Sequence, residues 1–278
     1  MMRALLVALA IALPGTGWAQ SMTQIEVPAR TPKATLTLGA ELYRPAGEGP
    51  RAAVVVMHGC GGLATTHRTW GKVLSEKGYV VLVLDSFGGR NVKEVCTGKQ
   101  NVEARERAWD ADAAVQWLGT QPFVKADRIA IQGHSHGGAA VLFAAFLEEG
   151  DRTPTPPPRF KAVTAFYPDC TLRGRTAKKF TVRVPLQILV GEADDWTPAD
   201  KCHDLMPRLS GAPASLTTYP GAYHSFDGVS IKPRYREDVR NRNKPGGCCG
   251  AWIGFNEPAY RDSVARVEAF LLTHLGGP

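Results

Sequence analysis

Gly133-His134-Ser135-His136-Gly137 holds a serine between two glycines. That spacing suits a nucleophile lifted on a tight turn between a strand and a helix. The glycines answer a steric need, because side chains at the flanking positions would clash in so sharp a turn. A serine hydroxyl is a weak nucleophile and needs a base. On such a turn the acid and the histidine are expected later in the chain, in that order. Gly191-Glu192-Ala193-Asp194-Asp195-Trp196-Thr197-Pro198 offers two carboxylates just after an apolar run. Asp194 is the candidate acid. Asp195 is its rival, and one of the two is expected to cap the helix that starts near Pro198. His224, in Pro220-Gly221-Ala222-Tyr223-His224-Ser225-Phe226, is the candidate base. Ser135, Asp194 and His224 together would perform acyl transfer.

Acyl transfer also needs two backbone N–H groups aimed at the developing oxyanion. His136, the residue after the nucleophile, is expected to give one. The loop His58-Gly59-Cys60-Gly61-Gly62 follows another apolar run, and Cys60 is the candidate for the second. The alternative is that these glycines only make a turn.

Elements with the right ends must carry these residues. Valine- and leucine-rich runs at 52–57, 79–84, 128–132, 161–167 and 186–190 read as buried parallel strands. Residues 36–43 read as an early strand and 216–219 as the last one. Helical patterns occupy 69–77, 103–118, 139–147, 198–209 and 256–275, and 154–158 reads as a proline-rich surface loop. The alternation predicts an α/β protein, a mainly parallel sheet with helices on both faces. With the serine turn between strand 128–132 and helix 139–147, this is the α/β-hydrolase fold. Segment 230–252 breaks the alternation. It carries Lys232, Arg234, Arg236, Arg240, Arg242 and Lys244, and reads as a loop insertion after the histidine.

The chain has 278 residues, 44% of them hydrophobic, enough for a full core in a single domain over residues 20–278. Residues 1–19 read as a signal peptide: Arg3, an apolar run to Leu13, then Gly17-Trp18-Ala19 before Gln20. Export to the periplasm or outside the cell follows. No later run is long enough to span a membrane. The net charge of +7 comes with no nucleic-acid motif. Six cysteines in an exported chain suggest disulfides. Cys170 and Cys202 should emerge at neighbouring strand ends and pair; Cys60 and Cys96 could pair by the same logic. Cys248-Cys249 lacks the gap usual between zinc ligands, so no metal is implied.

These pieces in order resemble the dienelactone hydrolase family. The likeness rests on His58-Gly59-Cys60-Gly61-Gly62, Gly78-Tyr79-Val80-Val81-Leu82, Asp85-Ser86, the Ser135 turn, Gly191-Glu192-Ala193-Asp194 with Thr197-Pro198, and His224-Ser225-Phe226. Dienelactone hydrolases proper use a cysteine nucleophile where this chain has Ser135, and the family also holds serine esterases. The resemblance implies a small-molecule ester or lactone substrate and no cofactor. It also suggests Arg90 as a group that binds a substrate carboxylate. A second reading is a non-catalytic envelope or binding protein on the same scaffold, for which an intact triad would have no use. Nothing in the chain specifies an oligomeric state.

Overall fold

The computed structural model describes residues 20–32, 34–148, 159–172 and 178–278. The expected signal peptide and the proline-rich loop at 154–158 lie outside the described residues. An antiparallel pair comes first, β1 (Ser21–Arg30) and β2 (Thr35–Arg44). Then follow β3 (Arg51–Met57), helix α1 (Thr65–Glu76) and β4 (Val80–Asp85). Helix α2 (Ala104–Gly119), β5 (Val124–His134) and α3 (His136–Ala145) form the next unit. The short β6 (Phe146–Glu148) precedes β7 (Ala162–Phe166), β8 (Phe180–Val182), β9 (Leu186–Gly191) and α4 (Ala199–Leu205). The chain ends with β10 (Leu209–Gly211), β11 (Ala214–Tyr219), the pair β12 (Arg234–Arg236) and β13 (Ala251–Ile253), and α5 (Glu257–Leu275).

The main sheet has the order β1-β2-β4-β3-β5-β7-β9-β11. From β4 to β11 every pairing is parallel, and β2 meets β4 antiparallel. Strands such as β7 and β9 are buried along their whole length, as unbroken apolar runs require when both faces are covered. Ala111, Val115 and Leu118 of α2 and Val141 and Leu142 of α3 pack on one face. Trp70 and Leu74 of α1 and Val267 and Leu271 of α5 pack on the other. Each such side chain contributes about 1.5–3 kcal/mol by leaving water. Helix α5 has a defined start: the Asn256 side chain accepts the Ala259 N–H at 3.1 Å. It stops at Gly276, whose φ of 70° suits a left-handed C-terminal cap. The arrangement is the α/β-hydrolase fold.

Several readings change. Strands β1, β6, β8, β10, β12 and β13 were not anticipated. The helix expected over 139–147 gives way to β6 at Phe146, and the one expected over 198–209 ends at Leu205. Helix α3 begins at His136 rather than at 139, so Gly137 and Gly138 are helical. The 230–252 segment is an ordered hairpin, with Arg234 opposite Ile253 and Arg236 opposite Ala251. Among the described residues, no helix is long and apolar enough to cross a membrane.

Candidate active site

Ser135 stands between β5 and α3 with φ 54° and ψ −115°. That left-handed backbone is costly for a non-glycine residue and is found where function needs it. The flanking glycines are there for space. A Cβ on Gly133 would lie 2.2 Å from the Gly137 carbonyl oxygen, and one on Gly137 would lie 2.5 Å from those of Met57 and His58. The tight turn therefore brings α3 against the end of β3.

His224 is buried and faces Ser135, with Nε2 2.8 Å from the serine Oγ. Its Nδ1–H donates to Asp194 Oδ2 at 2.7 Å. This pairing leaves Nε2 as the acceptor toward the hydroxyl. Asp194 Oδ1 accepts the backbone N–H groups of Trp196 and Thr197 at 2.8 and 2.9 Å. The Thr197 hydroxyl lies 2.9 Å from Asp194 Oδ2 and 3.1 Å from His224 Nδ1. The rings of Tyr167 and Trp196 flank the imidazole, with centroids 4.6 and 4.8 Å away.

Asp195 points elsewhere. Its Oδ1 accepts the Trp252 N–H at 2.8 Å, and Oδ2 lies 3.4 Å from Lys244 Nζ. The expectation that one of the two aspartates caps the following helix is corrected, since α4 has no side-chain cap. Asp195 instead pins the 230–252 hairpin to the acid-bearing loop. The hairpin in turn clasps the base: His224 bridges Ile253, and the Gly254 N–H donates to the His224 carbonyl at 3.0 Å.

A cavity of about 580 Å³ opens over Ser135. Cys60 and His136, the two candidate oxyanion donors, are both among its lining residues, as is Ser135. Gly59 approaches so closely that a Cβ there would sit 3.5 Å from the Ser135 Cβ. Arg105, Arg240 and Arg242 also line the cavity, with Glu103 and Asp169 as its acidic members.

Arg90 is not part of that lining, and its expected role is corrected. Its Nη1 and Nη2 each donate to Asp110 at 2.9 Å, and Nη1 also donates to the Ser86 carbonyl at 2.6 Å. The side chain is 9% exposed. A carboxylate one helix away saturates the guanidinium fork, so the residue fastens the loop after β4 to α2.

Both expected disulfides are present. Cys170 joins Cys202 and Cys60 joins Cys96, with Cα separations of 5.0 and 4.9 Å. Cys248 and Cys249 pair with each other. Among the described residues no cluster of His, Cys, Asp or Glu could hold a metal.

Several groups were not anticipated. Asp227 is fully buried and accepts hydrogen bonds from Tyr167 Oη and Trp70 Nε1, both at 2.7 Å. His134 Nδ1 lies 3.1 Å from the same carboxylate. Burial opposes its charge, but the His134 imidazole and these hydrogen bonds hold the Asp227 carboxyl below the usual range. This network underlies the Ser135 turn and the His224 loop. His58 accepts the Ser86 N–H at 3.1 Å, and its Nδ1 lies 2.7 Å from the Gly59 carbonyl. Burial, and then the Arg107 charge, push the imidazole down to about 4, so it is neutral near pH 7. Thr197, three residues after the acid, was the one additional group with a visible sequence signal.

The family model described as the dienelactone hydrolase family matches residues 38–274. A Bradyrhizobium protein named "Probable 2-oxo-3-(5-oxofuran-2-ylidene)propanoate lactonase" is 27% identical over 231 residues, 77% of this chain and 85% of its own length. A dienelactone hydrolase from Anabaena variabilis superposes with a TM-score of 0.60 at 18% identity, covering 93% of this chain and 100% of that one. Thermogutta terrifontis esterase 2 gives a TM-score of 0.62 at 17% identity, covering 92% and 94%. At these identities the structural likeness shows the fold.

Proposed function

The chain belongs to the dienelactone hydrolase family, and from that premise we propose that it is an exported serine hydrolase of carboxylic esters or lactones. The observation that carries the reading is one imidazole bonded on both sides, to Ser135 Oγ at 2.8 Å and to Asp194 at 2.7 Å. Ser135 Oγ attacks the substrate carbonyl while His224 Nε2 takes its proton. Asp194 keeps the imidazole in the right tautomer and stabilises its charge. The N–H groups of Cys60 and His136 receive the oxyanion. Collapse of the tetrahedral intermediate breaks the carbonyl-to-leaving-oxygen bond, and His224 returns the proton to that oxygen. Water, deprotonated by His224, then releases the acid from the acyl-enzyme.

The substrate carries a negative group of its own. Three arginines of the cavity support this, two of them from the basic hairpin. So does the propanoate in the name of the Bradyrhizobium relative. Export is supported by the signal pattern of residues 1–19 and by the disulfides, which persist in oxidising compartments.

A fluorophosphonate probe, followed by peptide mapping, tests the nucleophile. The wild type is expected to label at Ser135 and to hydrolyse p-nitrophenyl esters, and Ser135→Ala to do neither while keeping its circular dichroism. A folded Ser135→Ala protein with near-normal turnover would refute the assignment. A wild type that never labels would favour the non-catalytic binding reading. Sequencing the mature protein from a periplasmic fraction tests export, with Gln20 expected at its start.

A further inference from the structure

Arg107, on the first turns of α2, is fully buried. Taking a cation out of water costs several kcal/mol unless partners compensate. Asp110, on the same helix, favours the cation through its charge, but both its oxygens are engaged by Arg90. Arg107 donates instead to two neutral acceptors. Its Nη2 donates to the His58 carbonyl at 2.7 Å, and its Nη1 to His136 Nδ1 at 2.8 Å. Its Nε is buried with no hydrogen-bond partner among the described residues.

Those two acceptors belong to the two segments that flank the nucleophile. His58 opens the loop that carries Cys60, two residues on. His136 is the residue after Ser135 and the first of α3. One planar guanidinium therefore spans from the end of β3 to the start of α3, with its two terminal nitrogens in a fixed fork. We propose that Arg107 is a positioning residue that clamps the two halves of the oxyanion hole, setting the spacing between the Cys60 and His136 N–H groups. An arginine suits this place because a rigid fork fixes two points at once. Its fixed positive charge beneath the site also favours a negative oxygen above it. The proposal rests on the serine-hydrolase reading.

The test compares an oxoester with the matching thionoester in the wild type, Arg107→Lys and Arg107→Met. The larger sulfur is a poor hydrogen-bond acceptor, so the thionoester draws little help from the hole. Both variants are expected to lose kcat on the oxoester by about 100-fold, with KM within about two-fold, comparable to losing one oxyanion donor. The thionoester should lose far less, so the wild-type preference for oxygen over sulfur narrows by about ten-fold or more. Fluorophosphonate labelling of the wild type at Ser135 checks the underlying reading separately, and its failure would overturn both. With a reactive wild type, an equal loss on both esters would mean a general structural role and overturn the clamp. If Arg107→Met does not fold, Arg107→Lys decides, since it keeps the charge and most of the volume. An unchanged preference in Arg107→Lys would mean that charge alone suffices, and would equally overturn the clamp.

Discussion

A carboxylate beside an imidazole fixes its tautomer, and the loop after β9 offers two carboxylates in a row. Only Asp194 reaches His224, at 2.7 Å, because Asp195 turns outward to Trp252 and Lys244. Asp194→Asn is therefore expected to lower kcat by about 10,000-fold, the cost of the wrong tautomer. Asp195→Asn should keep most of the activity, since the amide oxygen can still accept the Trp252 N–H. Steady-state kinetics of the two proteins checks this; a dead Asp195→Asn would move the acid by one position. Thr197→Val removes a hydroxyl 2.9 Å from the acid. A hydrogen bond to a charged group is worth about 1.5–3 kcal/mol, so a loss on the order of ten- to a hundred-fold in kcat is expected. The thermal midpoint should fall by several degrees as well, and an unchanged kcat would remove the hydroxyl from the account.

At the scale of elements, the site is assembled at the carboxyl ends of β3, β5, β9 and β11, and its loops are tied by covalent and polar links. Cys60–Cys96 ties the loop after β3 to the segment after β4, and the Cys96 carbonyl accepts the Arg240 N–H at 2.8 Å. Cys170–Cys202 ties the end of β7 to α4. The sequence separations are 36 and 32 residues, for which loop closure predicts roughly 4 kcal/mol each, less any strain. Replacing either pair with serines is expected to lower thermal stability by similar amounts. Only the Cys60/Cys96 replacement should also lower kcat, because that pair borders the cavity. Calorimetry and ester kinetics on the two double variants separate these effects. Strand β1 was illegible for a physical reason. It is an edge strand, exposed over most of its length, and contains Pro28, which lacks the N–H that an inner strand would need. The start of α3 was hidden because glycines read as loop, whereas Gly138 is needed for close packing: a Cβ there would lie 2.8 Å from the Phe166 carbonyl oxygen.

At the scale of the whole molecule, buried imidazoles tie stability to pH. His58 falls to about 4 in the folded protein, and burial lowers His67 well below its usual 6.5. The unfolded chain binds protons at both from about pH 6.5 downward while the folded chain does not. Stability is thus fully present above about pH 6.5 and is lost as the pH falls through about 4, by up to about 1.4 kcal/mol per pH unit for each proton. Urea unfolding from pH 7 to 4 should show this slope, and His58→Gln should reduce it by up to one proton's worth; an unaltered slope would remove His58 from the account. The positive cavity gives a second expectation. Arg240→Glu should raise KM for a carboxylate-bearing ester about ten-fold or more, and leave a neutral ester of similar size within about two-fold. Equal effects on both esters would argue against charge recognition. By itself the sequence determined the alternation of core strands and helices, the Ser135 turn, the acid-bearing loop and His224. Those features are local: they depend on apolar runs, glycine sterics and the ends of strands. Tertiary structure decided which aspartate meets the histidine, that Arg90 is consumed by Asp110, and that Arg107 and Asp227 lie beneath the site. Each of those depends on a partner between 20 and 157 residues away in sequence, within a few ångströms in space, and only packing brings a donor to its acceptor across such separations.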